Sequence, residues 1–397
     1  MNPRIATPIA QAELERRWAA LRRAMREHGI DALILQGNND WLGGAVRWLT
    51  DCPALNGYPR SIIFRTDAPM SVVEMGAFAA HRTLTDDDVQ RGVGEWFGVP
   101  AFQSVGYTTG YEGALIAANL RRHGDRHVAL VNGGAMPHRF VNDIRSALAD
   151  RGVTLSDATD LVDQIKAIKS PTEIALIRET AKLQDAVFAA VLAGIRPGMR
   201  DCDITALAQH QGQVLGSEQG IFLGGSAKLG ERSSFLGRNQ QSRRLERGDH
   251  LSLLIEINGP GGFYGEIART LVLGRASAEL LDGFEAVRAA QDHTLGLIRP
   301  GASCAAIASA HNDYMIAHGL PAERRLYAHG QGYDMVERPL IRHDETMQLA
   351  AHMCLAVHPG YETASMFAVI CDNYLVTETG VSACLHQTEK RVFEIDA

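Results

Sequence analysis

Six cysteines among 397 residues (Cys52, Cys202, Cys304, Cys354, Cys371 and Cys384) include no CxxC pair and no disulfide-framework spacing. That excludes a stapled secreted scaffold and fits a reducing compartment. No uninterrupted apolar run approaches membrane-spanning length, and the N-terminal stretch MNPRIATPIAQAELERR turns charged where a secretory leader needs an apolar core. Basic residues are in the minority: the formal charge is −7, and the pairs Arg22-Arg23, Arg121-Arg122 and Arg243-Arg244 are short and scattered. Such a surface has no footprint for nucleic acid or an anionic membrane. Low-complexity tracts and evident internal repeats are also missing. The expectation is a cytoplasmic protein acting on a small molecule.

What is present is an ordinary globular composition, 46% hydrophobic and 21% charged. The length exceeds the roughly 250–300 residues at which single cores stop growing, so two domains are expected. Leu14, Trp18, Leu21 and Met25 recur at helical spacing before Gly29 and predict a core-facing helix. Strands at Ala32–Leu35, Ser61–Arg65, Met70–Glu74 and His127–Val131, with helices at 113–122 and 138–149, give the first half an alternating α/β pattern. Near 165–171 the chain changes character. Ser170 as N-cap, Pro171 at the first helical position and Glu173 at the capping-box position open a long helix. Beyond it the pattern predicts helices at about 171–194, 202–215, 277–297 and 303–318, and strands at about 250–257, 263–273, 352–358 and 366–377. The expected organisation is an α/β domain over 1–165 and an α+β domain over 166–397, the latter with helices on one antiparallel sheet.

The second half carries the segments IKSPTEIALIR, LERGDHLSLLIEINGPGGFYGEIARTL, LGLIRPGASC, AHGQGYDMVERP and CLAVHPGYE followed by CDNYLVTETG. In order and spacing they resemble the creatinase/aminopeptidase P/methionine aminopeptidase superfamily, which implies its pita-bread C-terminal domain and a homodimer. The likeness of the first half is looser and rests on length, element order and the pair Tyr58/Arg60.

Metal-dependent members of that superfamily hold two divalent ions with two aspartates, a histidine and two glutamates. Carried over by position, the first aspartate falls at Ile255 or, with a one-residue shift, at Glu256. The second falls at Glu266, and the histidine is kept as His329. The two glutamates become His358 and Cys371, with Asp372 beside the latter. Imidazole and thiol in place of bridging carboxylates alter both charge and hardness, so the two-metal centre is not expected. Either Glu266 and His329 exchange protons without a cofactor, as creatinase works without metal, or Glu266, His329, His358 and Cys371 hold a single divalent ion such as zinc. Glu256 is a further candidate ligand. Each of these residues also has a bland reading, as a salt-bridged strand residue or an ordinary core histidine or cysteine.

Two substrate-handling histidines of the superfamily are replaced here, by about Gly237 next to Arg238 and by Val336 before Glu337. Arg238, Glu337 and Arg338 are therefore candidates for binding a charged group, or surface ion pairs. Tyr58 and Arg60 resemble an aromatic-x-Arg pair that in creatinase reaches the neighbouring subunit's site, which makes them candidate substrate-binding residues as well. The leading expectation is a hydrolase of an amide, amidine or peptide-like C–N bond. The alternatives are a metal-dependent Xaa-Pro dipeptidase, a lyase on a small zwitterion, and an inactive binding protein.

Overall fold

The computed structural model describes residues 7–39, 43–55, 57–149 and 152–396, and the chain divides into two compact units, Met1–Lys166 and Ala167–Ala397. The stretch used above to argue against a leader begins in residues 1–6, which lie outside the described residues.

The first unit is built on one seven-stranded sheet. Its strands are β1 (Ala32–Gly37), β2 (Arg60–Arg65), β3 (Met70–Met75), β4 (Ala80–Thr83), β5 (Val93–Val99), β6 (His127–Val131) and β7 (Thr154–Asp157), in the spatial order β4-β5-β3-β2-β1-β6-β7. β1, β6 and β7 run parallel, whereas β2 pairs antiparallel with both β1 and β3. Helices α1 (Gln11–Glu27), α2 (Gly44–Thr50), α3 (Thr109–His123), α4 (His138–Leu148) and α5 (Thr159–Ala167) complete it. α1 buries the stripe Leu14, Trp18, Leu21 and Met25. Ile34 and Val128 form a core with Ile116, Leu120, Phe140 and Ile144 of α3 and α4.

The second unit opens with α6 (Pro171–Gly194), and the expected cap is in place. Ser170 Oγ accepts from the Glu173 N–H at 3.1 Å, and the Glu173 carboxylate accepts from the Ser170 N–H at 2.8 Å. There follow α7 (Asp201–Val214), β8 (Gly220–Lys228), β9 (Asp249–Asn258), β10 (Tyr264–Val272), α8 (Ala278–Leu297) and α9 (Cys304–Ala317). The chain ends with β11 (Ala328–Gly330), β12 (Glu337–Leu340), β13 (Cys354–Val357), β14 (Gly360–Glu362), β15 (Phe367–Val369), β16 (Asp372–Leu375) and β17 (Phe393–Glu394). The single sheet expected here is in fact two four-stranded sheets, β17-β10-β9-β8 and β12-β11-β13-β16, with a β14-β15 hairpin. The run 366–377 breaks after Val369, because β15 pairs back on β14 while β16 joins β13. One bridge, between Ala268 and Cys371, connects the two four-stranded sheets.

β9 and β10 are buried at every position, their polar residues Glu256, Glu266 and Arg269 included. On one face Leu251, Leu253, Ile255, Ile257, Ile267 and Leu271 pack with Val187, Phe188 and Val191 of α6 and Ile204 of α7. Side chains alternate along a strand. Glu256, between Ile255 and Ile257, therefore points to the opposite face.

Candidate active site

Strand register decides between Ile255 and Glu256. Glu266 pairs with Glu256, and Ile267 pairs with Ile255. The two glutamates thus stand opposite one another on the face away from the core, whereas Ile255 is fully buried in the hydrophobic cluster. Of the two candidates, Glu256 is the one that faces Glu266. His329 comes from β11, and His358 follows β13 directly. A carboxylate oxygen of Glu266 and ring nitrogens of His329 and His358 all lie within 4.8 Å of one another.

His329 Nε2 is 3.6 Å from Glu266 Oε2. Its Nδ1 is 2.8 Å from the Gly330 carbonyl, which can only accept, so Nδ1 carries a proton and Nε2 faces the carboxylate. The His358 ring meets that of His329 edge-on, with centroids 5.1 Å apart. The His358 N–H donates to the Tyr327 carbonyl at 2.7 Å. Its Nε2 is sealed from solvent without a hydrogen-bond partner among the described residues.

Two carboxylates directly opposite in a ladder cannot both be charged cheaply. Burial and the charge of Glu266 push Glu256 well above the ordinary carboxyl value of 4.5. Burial would raise Glu266 too, but the imidazoles of His358 and His329 and the neighbouring Cys371 outweigh it and hold Glu266 at about 2. Burial lowers His358 to about 4 and leaves its ring neutral at pH 7. Of the two, Glu266 is the carboxyl held ionised and Glu256 the one pushed towards its protonated form.

Of the other candidates, Arg60, Glu337 and Arg338 are ion-paired, whereas Tyr58 and Arg238 are exposed. The Arg60 guanidinium is buried and ion-paired with Glu74, and it reaches Gln90 Oε1 at 2.5 Å, so its fork is not open to a substrate. Tyr58 is exposed and rests edge-on near Phe102. The Glu337 carboxylate accepts from Lys169 Nζ at 2.7 Å and from the Tyr333 N–H at 3.0 Å, and thus braces the loop after His329. Arg338 Nε donates to Glu345 at 3.1 Å. Arg238 is exposed and contacts the Cys202 carbonyl at 3.4 Å. Glu337 and Arg338 read as available only because Lys169 and Glu345 are not visible as partners in the sequence. Cys371 is fully buried beside Leu254, Ala268 and Ala356. Its Sγ donates to the Glu266 main-chain oxygen at 3.5 Å, and burial raises the thiol well above its ordinary value. It lies outside the converging donors. Asp372 is bound at 2.7 Å by Arg269, and both side chains are fully buried. Sequence reasoning missed Gln331 and Asn373, whose amides touch Glu256 and the Glu266 backbone. Their only signal was proximity to the motifs.

The profile of metallopeptidase family M24 matches residues 175–378, more than half of the chain. The chain belongs to metallopeptidase family M24. It is 28% identical over 275 residues to a Mycobacterium tuberculosis protein named "Probable dipeptidase PepE", covering 66% of this chain and 72% of that one. It is 27% identical over 245 residues to the "Xaa-Pro dipeptidase" of Pyrococcus furiosus, covering 59% and 67%. The structure of X-Pro aminopeptidase from Thermotoga maritima superposes with a TM-score of 0.77 at 17% identity, over 95% of this chain and 99% of that one. The shared architecture is an N-terminal domain followed by a pita-bread domain.

For an M24 protein this donor set is depleted. Among the described residues, Glu266, His329 and His358 converge, while Glu256 is hydrogen-bonded by Gln331 and the Cys371 thiol, beside Glu266, is buried and held protonated. Imidazole and thiol at two of these positions do not match an oxygen-rich two-ion centre. The three converging side chains do fit one ion of the zinc class. Two imidazoles and a carboxylate are an ordinary donor set, the sealed Nε2 of His358 has no hydrogen-bond partner among the described residues, and the His329 Nδ1–H is anchored on a carbonyl as in metal-ligating histidines.

Proposed function

We propose that this M24 hydrolase cleaves a C–N bond of the amide, amidine or peptide-like kind in a small polar substrate, with protons moved by Glu266, His329 and Glu256. The observation that carries this reading is the facing of His329 Nε2 and Glu266 Oε2 at 3.6 Å, with the opposite ring nitrogen tied to Gly330. A water between substrate and His329 loses a proton to Nε2, and Glu266 steadies the imidazolium that forms. Carbon–oxygen bond formation and carbon–nitrogen cleavage follow, and the departing nitrogen takes its proton from Glu256. Water is added overall, and the His329 proton is then available to restore Glu256. General acid–base action of this kind contributes about 10²–10⁴-fold. With Arg60 and Arg338 ion-paired elsewhere and two carboxyls in the site, the charge balance favours a substrate presenting N–H donors or a cationic nitrogen. The proposed assembly is a cytoplasmic homodimer. No helix among the described residues is long and apolar enough to cross a membrane.

A second reading places one divalent ion on Glu266, His329 and His358, and the partnerless Nε2 of His358 favours it. When bound, such an ion supplies Lewis acidity and a more acidic water. The test is a screen of Ala-Pro, Gly-Pro, creatine and small amides and amidines for release of a primary amine, an imino acid or ammonia, with and without chelator. Release from at least one compound, lost in Glu266→Gln, is expected. Elimination products without added water, or tight binding with no turnover, would contradict the reading.

A further inference from the structure

Glu256 has one hydrogen-bonded side-chain partner among the described residues, Gln331, whose Nε2 donates to Glu256 Oε1 at 3.2 Å. Gln331 is fully buried. Which end of its amide faces Glu256 is settled from both sides. Its Nε2 also donates to the Met335 carbonyl at 3.1 Å, an atom that can only accept. Its Oε1 accepts from Asn373 Nδ2 at 2.7 Å. Asn373 is in turn fixed, because its Oδ1 accepts from the Glu266 main-chain N–H at 2.7 Å, an atom that can only donate. Reversing either amide would set donor against donor or acceptor against acceptor. The chain of bonds runs from the backbone of one glutamate to the side chain of the other.

The fold makes room for this clamp at one glycine. A Cβ on Gly265 would come within 2.5 Å of Gln184 Oε1 and 3.2 Å of Asn373 Oδ1. Only a residue without a side chain lets these amides lie against the strand that presents Glu266.

We infer that Gln331 is a positioning residue of the active site: its amide, oriented by Asn373 and Met335, holds Oε1 of Glu256 and leaves Oε2 as the oxygen that meets the substrate. The catalytic part of this inference rests on the C–N hydrolase reading, whereas the positioning part does not.

Crystal structures of the wild type, Gln331→Met and Gln331→Glu test the positioning directly. Both variants keep the side-chain volume, so either one suffices if the other fails to fold. The expected result is that Glu266, His329 and His358 stay in place while the Glu256 carboxyl turns. A Glu256 carboxyl unmoved in the variants would overturn the inference. On any compound of the screen that is turned over, Gln331→Met should lower kcat about 10–100-fold, the usual scale for outer-shell partners, with KM changed less than about twofold. Glu256→Gln added to Gln331→Met should cost little more, since residues acting as a unit are non-additive. A loss confined to KM, or a multiplicative double loss, would count against the role. If the screen yields no substrate, the C–N reading fails and the crystal structures still decide the positioning.

Discussion

Glu256 and Glu266 stand directly opposite each other in the β9–β10 ladder, and the imidazoles sit beside only one of them. That asymmetry decides which carboxyl ionises. Glu266 has His358 and His329 as neighbours, whereas Glu256 has a neutral amide. Glu256 keeps its proton in the fold above its ordinary value of 4.5. Its contribution to stability is therefore complete below pH 4.5 and is lost as pH rises towards the raised value. Glu256→Gln removes this penalty. The variant should lose less stability than the wild type as pH rises from 4.5 to 8, read as a Tm difference that widens in the variant's favour with pH. A Tm difference that does not change with pH would contradict the assignment.

Glu266 and His329 should behave as one unit in turnover. His329→Ala and Glu266→Gln should each lower the rate by about 10²–10⁴-fold, and the double variant should be little worse than the worse single. Near-normal activity in either single variant would remove that residue from the chemistry.

The first unit holds a second unusual carboxyl. Glu112 is buried, accepting from the Ser61 hydroxyl and from Gln36 Nε2 at 3.0 Å, with no cation paired to it among the described residues. Burial raises it to about 7. The sign follows that of Glu256: stability present below pH 4.5 declines as pH rises to about 7. From 4.5 to 7 the cost is about 3 kcal/mol, at about 1.4 kcal/mol per unit. Glu112→Gln should flatten that decline in denaturant melts between pH 5 and pH 8. An unchanged slope would show that Glu112 ionises normally.

Glu337 should matter to folding and not to substrate. Its bond to Lys169 is buried at both ends, and breaking such a pair from one side costs about 3–5 kcal/mol. Lys169→Met should show that loss in chemical denaturation. For a Glu337→Gln protein that still folds, KM should stay near the wild-type value. A selective rise in KM would return Glu337 to the substrate.

Much of this was legible in the sequence because it is local. The capping box at Ser170, Pro171 and Glu173 and the helical stripe of α1 need only neighbours within a few turns. Other features depend on contacts across the chain. Nothing in LLIEINGPGGFYGEI says whether Ile255 or Glu256 opposes Glu266. The turn between β9 and β10 fixes the register, and a one-residue slip reverses the faces. The run 366–377 reads as one strand, yet it serves two partners and divides. Arg60, Glu337 and Arg338 read as available charges until Glu74, Lys169 and Glu345 arrive beside them. Gln331 and Asn373 carry no signal in isolation, since an amide acquires a direction only from the groups at its two ends.

Glu266, His329 and His358 converge as donors for one ion, and we propose that the site does not hold a pair of metals. Elemental analysis of protein equilibrated with excess zinc or manganese, then desalted, tests it most directly. At most one equivalent per chain is expected, and any bound ion should be lost in His358→Ala. Two tightly held equivalents per chain, removed together with activity by chelation, would contradict it.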